Sequence, residues 1–362
     1  MNRHQIAKLR VASQQIAGTA FRTPGELVSW LGAVQAQDFL GSLWSIGLRL
    51  PGTTQAAVEQ AIANRSIIRT WPLRGTLHFV VPSDARWMLK WLTAPAMAAA
   101  KKRHGRLNLD EKILILSEKL VARSLSGGNQ LSRDSLYRVL ESAGISTKAQ
   151  RGYHILWWLA QKALICCAAR NGKQPQFALL DEWIPAGRII DYDAAIAELA
   201  LRYFTGHGPA TLRDFAWWSG LSMTDAKQGL DGVSAGLVAT ECGKDIYWMS
   251  PKTAEVVPAS PQCSLLPAFD EFLLGYADRS ASLGAKHVPL TRHPGGGMFK
   301  ATIAMDGRII GTWNRTVRKT SAMVALDLFA APKGAIQRTL KSTVGRYAEF
   351  LVCPVEISLR GG

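Results

Sequence analysis

The chain has 362 residues, 48% of them hydrophobic, so it is long enough for two or three domains with their own cores. Lys and Arg number 43 against 27 Asp and Glu, which gives a formal net charge of +16 and a pI near 9.9. This balance favours a polyanionic partner, with nucleic acid as the first candidate and an anionic membrane surface as its rival. No apolar run in the sequence is long enough for a membrane-spanning helix, so none is expected.

The first twenty residues include Lys8, Arg10 and Gln14 and lack the apolar core of a signal peptide. The five cysteines, among them the neighbours Cys166 and Cys167, form neither a CxxC motif nor an even framework. This usage predicts free thiols in a reducing cytoplasm.

A pattern of helices followed by a β-hairpin occurs first near the start of the chain. Residues 4–20 and 25–34 read as two helices, the second with Thr23 as N-cap and Pro24 in its first turn. An apolar stretch follows at 43–50, then a helix at 54–63, and then two β-rich runs at 66–71 and 76–81 around a Pro/Gly turn. This order is typical of a winged helix.

The same pattern occurs twice more. The second copy comprises a helix capped by Ser132, a helix over 151–164, and a hairpin of 165–169 and 177–180 joined through Asn171-Gly172. The third comprises a helix opened by Thr211, a helix opened by Ser222, and a hairpin of 237–241 and 246–249. The unequal spacing of the copies argues against a solenoid.

From about residue 264 the sequence becomes richer in β-type runs. Asp306-Gly307 joins 299–305 to 308–313 as a hairpin, and a further strand at 322–328 and a helix at 336–350 follow. We therefore predict an α+β fold of three tandem winged-helix units followed by a small C-terminal β-barrel-like domain. The predicted boundaries are 1–100, 101–190, 191–260 and 261–362.

Gln35 and Gln37 lie between apolar residues where the 25–34 helix ends or turns away. Neutral amides hold both donors and acceptors, so a pair of them can orient a water molecule without ionising. The alternative interpretation is two surface glutamines beside a helix end.

Basic and acidic side chains supply the other candidates. The cationic groups are Lys101, Lys102 and Arg103; Arg315, Arg318 and Lys319; and Arg69 and Arg74 on the first wing. Such groups are either solvated faces or phosphate contacts. Among the acids, Asp38 follows Gln37, while Asp270 and Glu271 lie in the apolar frame of 265–280 as structural partners of arginine or as parts of a site.

Several familiar sites are absent from the sequence. The seven histidines are scattered and neither HExxH nor paired CxxC occurs, so no metal site is predicted. The chain has no phosphate-binding P-loop and no GxSxG elbow, and the triple glycine at 295–297 reads as a flexible loop. No cofactor is therefore expected.

Four segments resemble the AlkZ/YcaQ group of bacterial winged-helix DNA glycosylases. They are LGAVQAQ at 31–37, RTWPLRGTLH at 69–78, LPAFDEFLLGY at 266–276 and DGRIIGTW at 306–313, in order over nearly the whole chain. The resemblance implies three winged helices and a small β-barrel around a channel for duplex DNA. It also implies excision of N7-alkylated purines, with unhooking of interstrand crosslinks in some members.

The resemblance also assigns residues. The family's catalytic motif is glutamine, an aliphatic residue, then glutamine or aspartate, so Gln35-Ala36-Gln37 matches its double-glutamine branch. Arg74, Thr76 and His78 fall in the first wing, where DNA contact is expected. The implied partner is double-stranded DNA with alkylated bases, bound by a monomer at the bacterial nucleoid.

A mechanism can be set beside this resemblance. An N7-alkylguanine is already cationic, so its glycosidic bond is weak and the leaving group needs no proton. The carbonyl groups of Gln35 and Gln37 would hold a water under C1′ of an oxocarbenium-like sugar. Because no lysine is required, we expect a monofunctional glycosylase that leaves an abasic site. Whether the base is flipped out stays open.

Two alternatives remain at this point. One is a non-catalytic winged-helix DNA-binding regulator, which a symmetric dimer and sequence-specific binding would favour. The other is an enzyme of a different class that uses Asp38, Asp270 or Glu271 as an acid or base.

Overall fold

The computed structural model describes residues 1–172, 174–185, 187–257, 260–293, 299–318, 320–331 and 334–361. The predicted loop at 295–297 and the candidate Lys319 lie outside the described residues. The fold is mixed α+β, as predicted.

The helices are α1 Arg3–Ser13, α2 Pro24–Leu31, α3 Phe39–Gly47, α4 Gln55–Ala63, α5 Pro82–Leu92, α6 Ala94–Arg106, α7 Glu111–Leu125, α8 Arg133–Ser142, α9 Arg151–Gln161, α10 Leu180–Trp183, α11 Tyr192–His207, α12 Leu212–Ser219, α13 Met223–Asp231, α14 Pro251–Glu255, α15 Glu271–Leu274 and α16 Gly334–Leu351. The strands are β1 Val34–Gln35, β2 Ile68–Leu73, β3 Thr76–Val80, β4 Leu131–Ser132, β5 Ile165–Asn171, β6 Gln174–Leu179, β7 Val238–Cys242, β8 Asp245–Met249, β9 Cys263–Leu266, β10 Thr302–Met305, β11 Arg308–Val317, β12 Ala322–Leu328 and β13 Val355–Gly361.

The chain forms two compact units. The first unit comprises Met1–Val58, Ile196–Trp218 and Ser222–Gly362, and the second comprises Glu59–Ala195 with Ser219–Leu221. The division at residues 100, 190 and 260 stays a prediction. Among the described residues, no helix is both long enough and apolar enough to cross a bilayer.

In the second unit the strands follow one another in the order β3, β2, β5, β6 and β4. Both predicted hairpins are confirmed, with Arg69 opposite Phe79 in the first and Cys167 opposite Phe177 in the second. Buried apolar side chains from β2, α7, α8, α9, β5 and β6 form one core against them. The positive φ values of Arg74 and Gly75, 52° and 69°, make the tight turn that the Pro/Gly signal predicted.

In the first unit a C-terminal sheet has the order β13, β12, β11, β10 and β9, with β12 and β13 parallel. The predicted Asp306-Gly307 hairpin is confirmed, with φ values of 49° and 79°. A side chain on Gly307 would place its Cβ 2.4 Å from the Ala7 carbonyl oxygen, so glycine is needed at this turn.

The prediction that the sheet of the C-terminal domain closes like a β-barrel is wrong. Within the described residues β9 and β13 are the open edges of the sheet. Helix α16 contacts both edge strands, so a helix occupies the position that strand pairing would need for closure.

Most other differences concern helix bounds and helices passed over in the sequence. Helix α1 ends at Ser13, well before residue 20, and the apolar stretch 43–50 lies largely within α3. Residues 34–37, predicted as the end of a helix or the turn leaving it, begin with the short strand β1. Helices α5 to α7, α10, α11, α14 and α15 had no predicted counterpart.

Buried ion pairs hold the first unit together from within. Arg49 is fully buried and donates from Nη1 and Nη2 to the two carboxylate oxygens of Asp270, each at 2.8 Å. Arg10 contacts Asp214 at 3.4 Å with both side chains 1% exposed, and its guanidinium lies 3.5 Å from the centre of the Tyr276 ring. These contacts connect α1 and α3 to residues far along the chain.

We predict that Arg49→Met lowers the free energy of unfolding by about 3–5 kcal/mol, because it leaves the Asp270 carboxylate buried without its partner. Urea denaturation measures this change. The control is Lys227→Met, which breaks the ion pair with Asp231 on the surface of α13, where both side chains are more than half exposed. Its expected effect is at most about 0.5 kcal/mol. Equal losses in the two variants would contradict the prediction.

Candidate active site

The glutamine pair lies just beyond the end of α2. The Thr23 side chain accepts the Glu26 backbone N–H and Pro24 is the first helical residue, which confirms the predicted start of this helix. Gly32 ends it with a φ of 74°, and a Cβ there would lie 3.4 Å from the Trp218 ring. Glycine therefore lets the chain turn into β1 directly beside this indole.

Glu271 fixes the backbone of β1. This side chain is 1% exposed, and its Oε1 accepts the backbone N–H of Gln35 at 2.9 Å. Its Oε2 accepts the indole N–H of Trp218 at 2.9 Å and lies 3.4 Å from Nε2 of the buried His207. A buried carboxylate with several donors has one preferred position, so the start of the motif is held rigidly.

The two glutamines contact each other but differ in exposure. Gln35 is 6% exposed and donates from Nε2 to Oε1 of Gln37 at 2.8 Å. Gln37 is exposed. A carbonyl oxygen accepts two hydrogen bonds, so Oε1 of Gln37 has capacity for one more donor. The buried amide thus orients an acceptor that solvent can reach.

Asp270 serves the scaffold behind this pair. It is 2% exposed, caps α15 by accepting the Phe272 backbone N–H, and accepts the Ser45 hydroxyl at 2.6 Å. Together with its ion pair to Arg49, these bonds occupy both carboxylate oxygens. Asp270 is therefore a structural partner of arginine, one of the two roles that the sequence left open.

Asp38 lies at the exposed side of the motif. Its Oδ2 is 3.6 Å from Nη2 of Arg315, with the two side chains 39% and 18% exposed. Burial raises the pKa of the Tyr347 hydroxyl, and the neighbouring Arg315 guanidinium opposes that rise. Arg315 therefore lies between α16 and the carboxylate that follows Gln37.

Asp38 and Arg315 also line a cleft of about 390 Å³. We call it the β11 cleft; its lining includes Asp38, Pro267, Lys300, Arg315, Asp327 and Arg360. Asp38 and Pro267 also line a small recess that contains Gln35. The cleft and the glutamine motif are thus adjacent in the first unit.

The candidates of the second unit lie on two elements. Helix α6 carries Lys101, Lys102 and Arg103, all exposed, with Arg103 donating to the Gln150 side chain at 2.8 Å. Thr76 hydrogen-bonds the carbonyl of Leu73 across the turn of the β2–β3 hairpin.

The remaining candidates near that hairpin are less exposed. Arg69 and Arg74 are half-buried, and the Arg69 side chain lies beside Cys167. His78 is fully buried, with Nδ1 2.9 Å from the Thr76 carbonyl oxygen, and its contact with DNA stays a prediction. In the first unit, Arg318 is exposed in the turn after β11, where its N–H donates to the Ser321 carbonyl.

Metal and thiol chemistry find no support in the described residues. They contain no group of three or more His, Cys, Asp or Glu side chains placed to hold a metal ion. All five cysteines are free, and burial raises the pKa of the Cys166 and Cys167 thiols and brings that of Cys263 to about 11. These three thiols stay protonated near neutral pH and are poor nucleophiles.

Comparison with known proteins decides the family. A sequence profile described as "DNA glycosylase AlkZ-like" matches residues 28–350. The chain belongs to the AlkZ-like DNA glycosylase family. It is therefore an enzyme that acts on N-glycosyl bonds, with DNA as its substrate.

Two individual matches agree with this assignment. An "Interstrand DNA cross-link repair glycosylase" from Streptomyces sahachiroi is 24% identical over 329 residues, covering 85% of this chain and 86% of that protein. The solved structure of Streptomyces sahachiroi DNA glycosylase AlkZ superposes with a TM-score of 0.82 over 99% of both chains at 20% identity. The structural match shows that the two proteins share a fold.

Sequence reasoning missed the residues that support the motif in this AlkZ-like glycosylase. Arg49 contacts the buried carboxylate of Asp270. Trp218 and His207 contact that of Glu271. For Arg49 the sequence does hold a signal, because a single arginine in the apolar stretch 43–50 requires a buried anion. Nothing local marks Trp218, whose role depends on α12 lying beside β1.

We predict that Trp218→Phe lowers the free energy of unfolding by about 1–3 kcal/mol, because Oε2 of Glu271 loses a buried donor and the phenyl ring fills less of the buried space than the indole. The matched control is the neighbour Trp217→Phe. Trp217 is 50% exposed and its indole donates at 3.3 Å to a backbone carbonyl. For the control we expect a change below about 0.5 kcal/mol. Thermal or urea unfolding of both proteins measures the two changes, and a larger loss in Trp217→Phe than in Trp218→Phe would contradict the prediction.

Proposed function

We propose that this glycosylase hydrolyses the N-glycosidic bond of N7-alkylated, cationic purines in double-stranded DNA and leaves an abasic site. We include interstrand crosslinks among its substrates, since the Streptomyces sahachiroi relative is named for their repair. The observation that carries the proposal is the hydrogen bond between the buried Gln35 and the exposed Gln37.

The chemistry requires little from the protein. A purine alkylated at N7 leaves as a neutral base, so no side chain has to protonate it. The reaction instead needs an oriented water and an environment that accepts positive charge on the sugar. Two neutral amides meet the first need without adding a charge that would have to be desolvated.

The two glutamines have different roles in this mechanism. In our proposal Oε1 of Gln37 accepts a hydrogen bond from the attacking water beneath C1′. The oxygen of this water bonds to C1′ as the glycosidic bond breaks, and its proton passes to solvent. Nε2 of Gln35 occupies the other lone pair of that oxygen and so fixes its direction. Gln35 is in turn held through its backbone by Glu271.

The three carboxylates near the motif have different roles. Glu271 and Asp270 are 1% and 2% exposed, so they position the motif rather than act as an acid or base on substrate. Asp38 is accessible beside Gln37. No step requires an amine nucleophile, a metal or a cofactor, which is why we propose a monofunctional enzyme.

For DNA binding we propose three tandem winged helices acting in a monomer. Three stretches support this count by repeating an order of helix, short strand or bridge, two helices and hairpin: α2 to β3, α7 to β6, and α11 to β8 with a bridge between Ala210 and Trp248. The divisions 1–100, 101–190 and 191–260 with a C-terminal domain 261–362 follow that repeat. Exposed cations on α6, Arg74 and Thr76 at the first hairpin turn, and Arg318 after β11 would contact phosphates.

We expect Gln37→Ala and Gln35→Ala each to lower the single-turnover rate of N7-methylguanine excision by about 100-fold, the scale of losing one oriented polar group. Because the two amides act as one unit, the double variant should be no slower than the slower single variant. Alkaline cleavage of the abasic product measures the rate.

The control for these substitutions is Gln60→Ala, since Gln60 is an exposed glutamine of α4 that is not part of the motif. It should excise at the wild-type rate. Losses that multiply in the double variant would contradict the division of roles, and full activity of both single variants would remove the glutamines from the mechanism.

DNA affinity should fall steeply with salt, because cationic side chains release counterions from the phosphates. Replacing Lys101 or Lys102 by Gln should reduce the slope of log affinity against log salt by about 1 each. The comparison is Lys341→Gln, an exposed lysine on α16, whose slope should equal that of the wild type. Fluorescence anisotropy over a salt series gives the slopes, and an unchanged slope for both α6 variants would exclude the helix from DNA contact.

A further inference from the structure

The β11 cleft holds more cations than its carboxylates balance. Lys300, Arg315 and Arg360 line it together with Asp38 and Asp327. In the sheet Asp327 is paired with Arg360 on the neighbouring strand, so that these two opposite charges lie side by side. This leaves Lys300 and Arg315 against the single carboxylate of Asp38.

The contact between Arg315 and Asp38 is weak for its type. Nη2 of Arg315 and Oδ2 of Asp38 are 3.6 Å apart, longer than a hydrogen bond, and the Asp38 side chain is 39% exposed. Ion pairs of this exposure contribute little to stability. A phosphate that makes two parallel, charge-assisted hydrogen bonds to the guanidinium is a better partner than Asp38 at 3.6 Å.

The Arg315–Asp38 pair lies beside the glutamine motif, so a change in the partner of Arg315 changes the charge next to Gln37. Asp38 directly follows Gln37, and it also lines the recess that contains Gln35. While Arg315 is its partner, the positive guanidinium cancels much of the carboxylate's field. Once Arg315 binds another anion, a negative charge acts beside the water-binding amide, where positive charge develops on the sugar.

We propose that the β11 cleft is a subsite for one backbone phosphodiester next to the damaged nucleotide, and that Arg315 exchanges Asp38 for this phosphate when DNA binds. Lys300 supplies the second cation of the subsite. The released Asp38 carboxylate then stabilises the cationic sugar during bond cleavage. This inference rests on the proposed function, and it would couple bond cleavage to the seating of one backbone phosphate.

The test uses duplexes in which a single phosphodiester near the lesion is replaced by an uncharged methylphosphonate. Binding is measured first, on duplexes with a tetrahydrofuran abasic analogue at the lesion, so that the result does not depend on excision. For wild-type protein, one linkage position should weaken binding about tenfold. In Arg315→Gln the same replacement should cause no further loss, because the partner of that phosphate is already gone.

Asp38 and a control complete the experiment. Asp38→Asn removes the competing carboxylate, so it should tighten binding a few-fold while slowing single-turnover excision of N7-methylguanine about tenfold. Asp38→Glu should recover part of the rate. Arg338→Gln, at an exposed arginine of α16, should keep the tenfold methylphosphonate effect.

Two outcomes would overturn the proposal. One is that no linkage position affects wild-type binding, or that every position affects wild type and Arg315→Gln by the same factor. The other is that Asp38→Asn weakens binding. Absence of excision by the wild type would refute the proposed function instead, and the binding measurements would still judge the phosphate subsite.

Discussion

Two consecutive carboxylates at the start of α15 fix the candidate active site. Asp270 turns to the buried Arg49, whereas Glu271 accepts the backbone N–H of Gln35 and the indole of Trp218. A carboxylate is stable inside a protein only where donors replace its lost hydration. Each acid therefore has one position, and the short segment between β9 and α15 ties α3 on one side and β1 on the other. The glutamine motif inherits its geometry from this arrangement.

Charge is distributed around the motif in layers. The ionised groups behind it are buried and paired, the amides themselves are neutral, and the accessible carboxylate of Asp38 lies at the rim beside Arg315. This order suits the cationic substrate that we propose, for which the protein would have to accept positive charge on the sugar rather than deliver a proton. The buried layer holds the motif in position, and in our proposal the accessible Asp38 and Arg315 change partners when DNA binds.

Local chemistry made much of the fold predictable. Thr23 with Pro24 marked the start of a helix, and Asp306 with Gly307 marked a tight turn, because capping and positive φ depend on the residues themselves. The predicted barrel was wrong because strand pairing across the sheet edges is a long-range property that α16 decides. Strand β1 was missed for a similar reason, since two residues carry no periodicity.

By itself the sequence determined the class of fold, the hairpins, the basic charge and the motif that carries Gln35 and Gln37, since each is encoded in neighbouring residues. Only the tertiary structure decided which acids are buried partners and which one remains accessible. It brought Glu271 to the backbone of Gln35 across 236 positions of the chain and left Asp38 at the edge of a cleft. The physical reason is that burial and pairing depend on what packs around a charge, and residues far apart in sequence supply that packing.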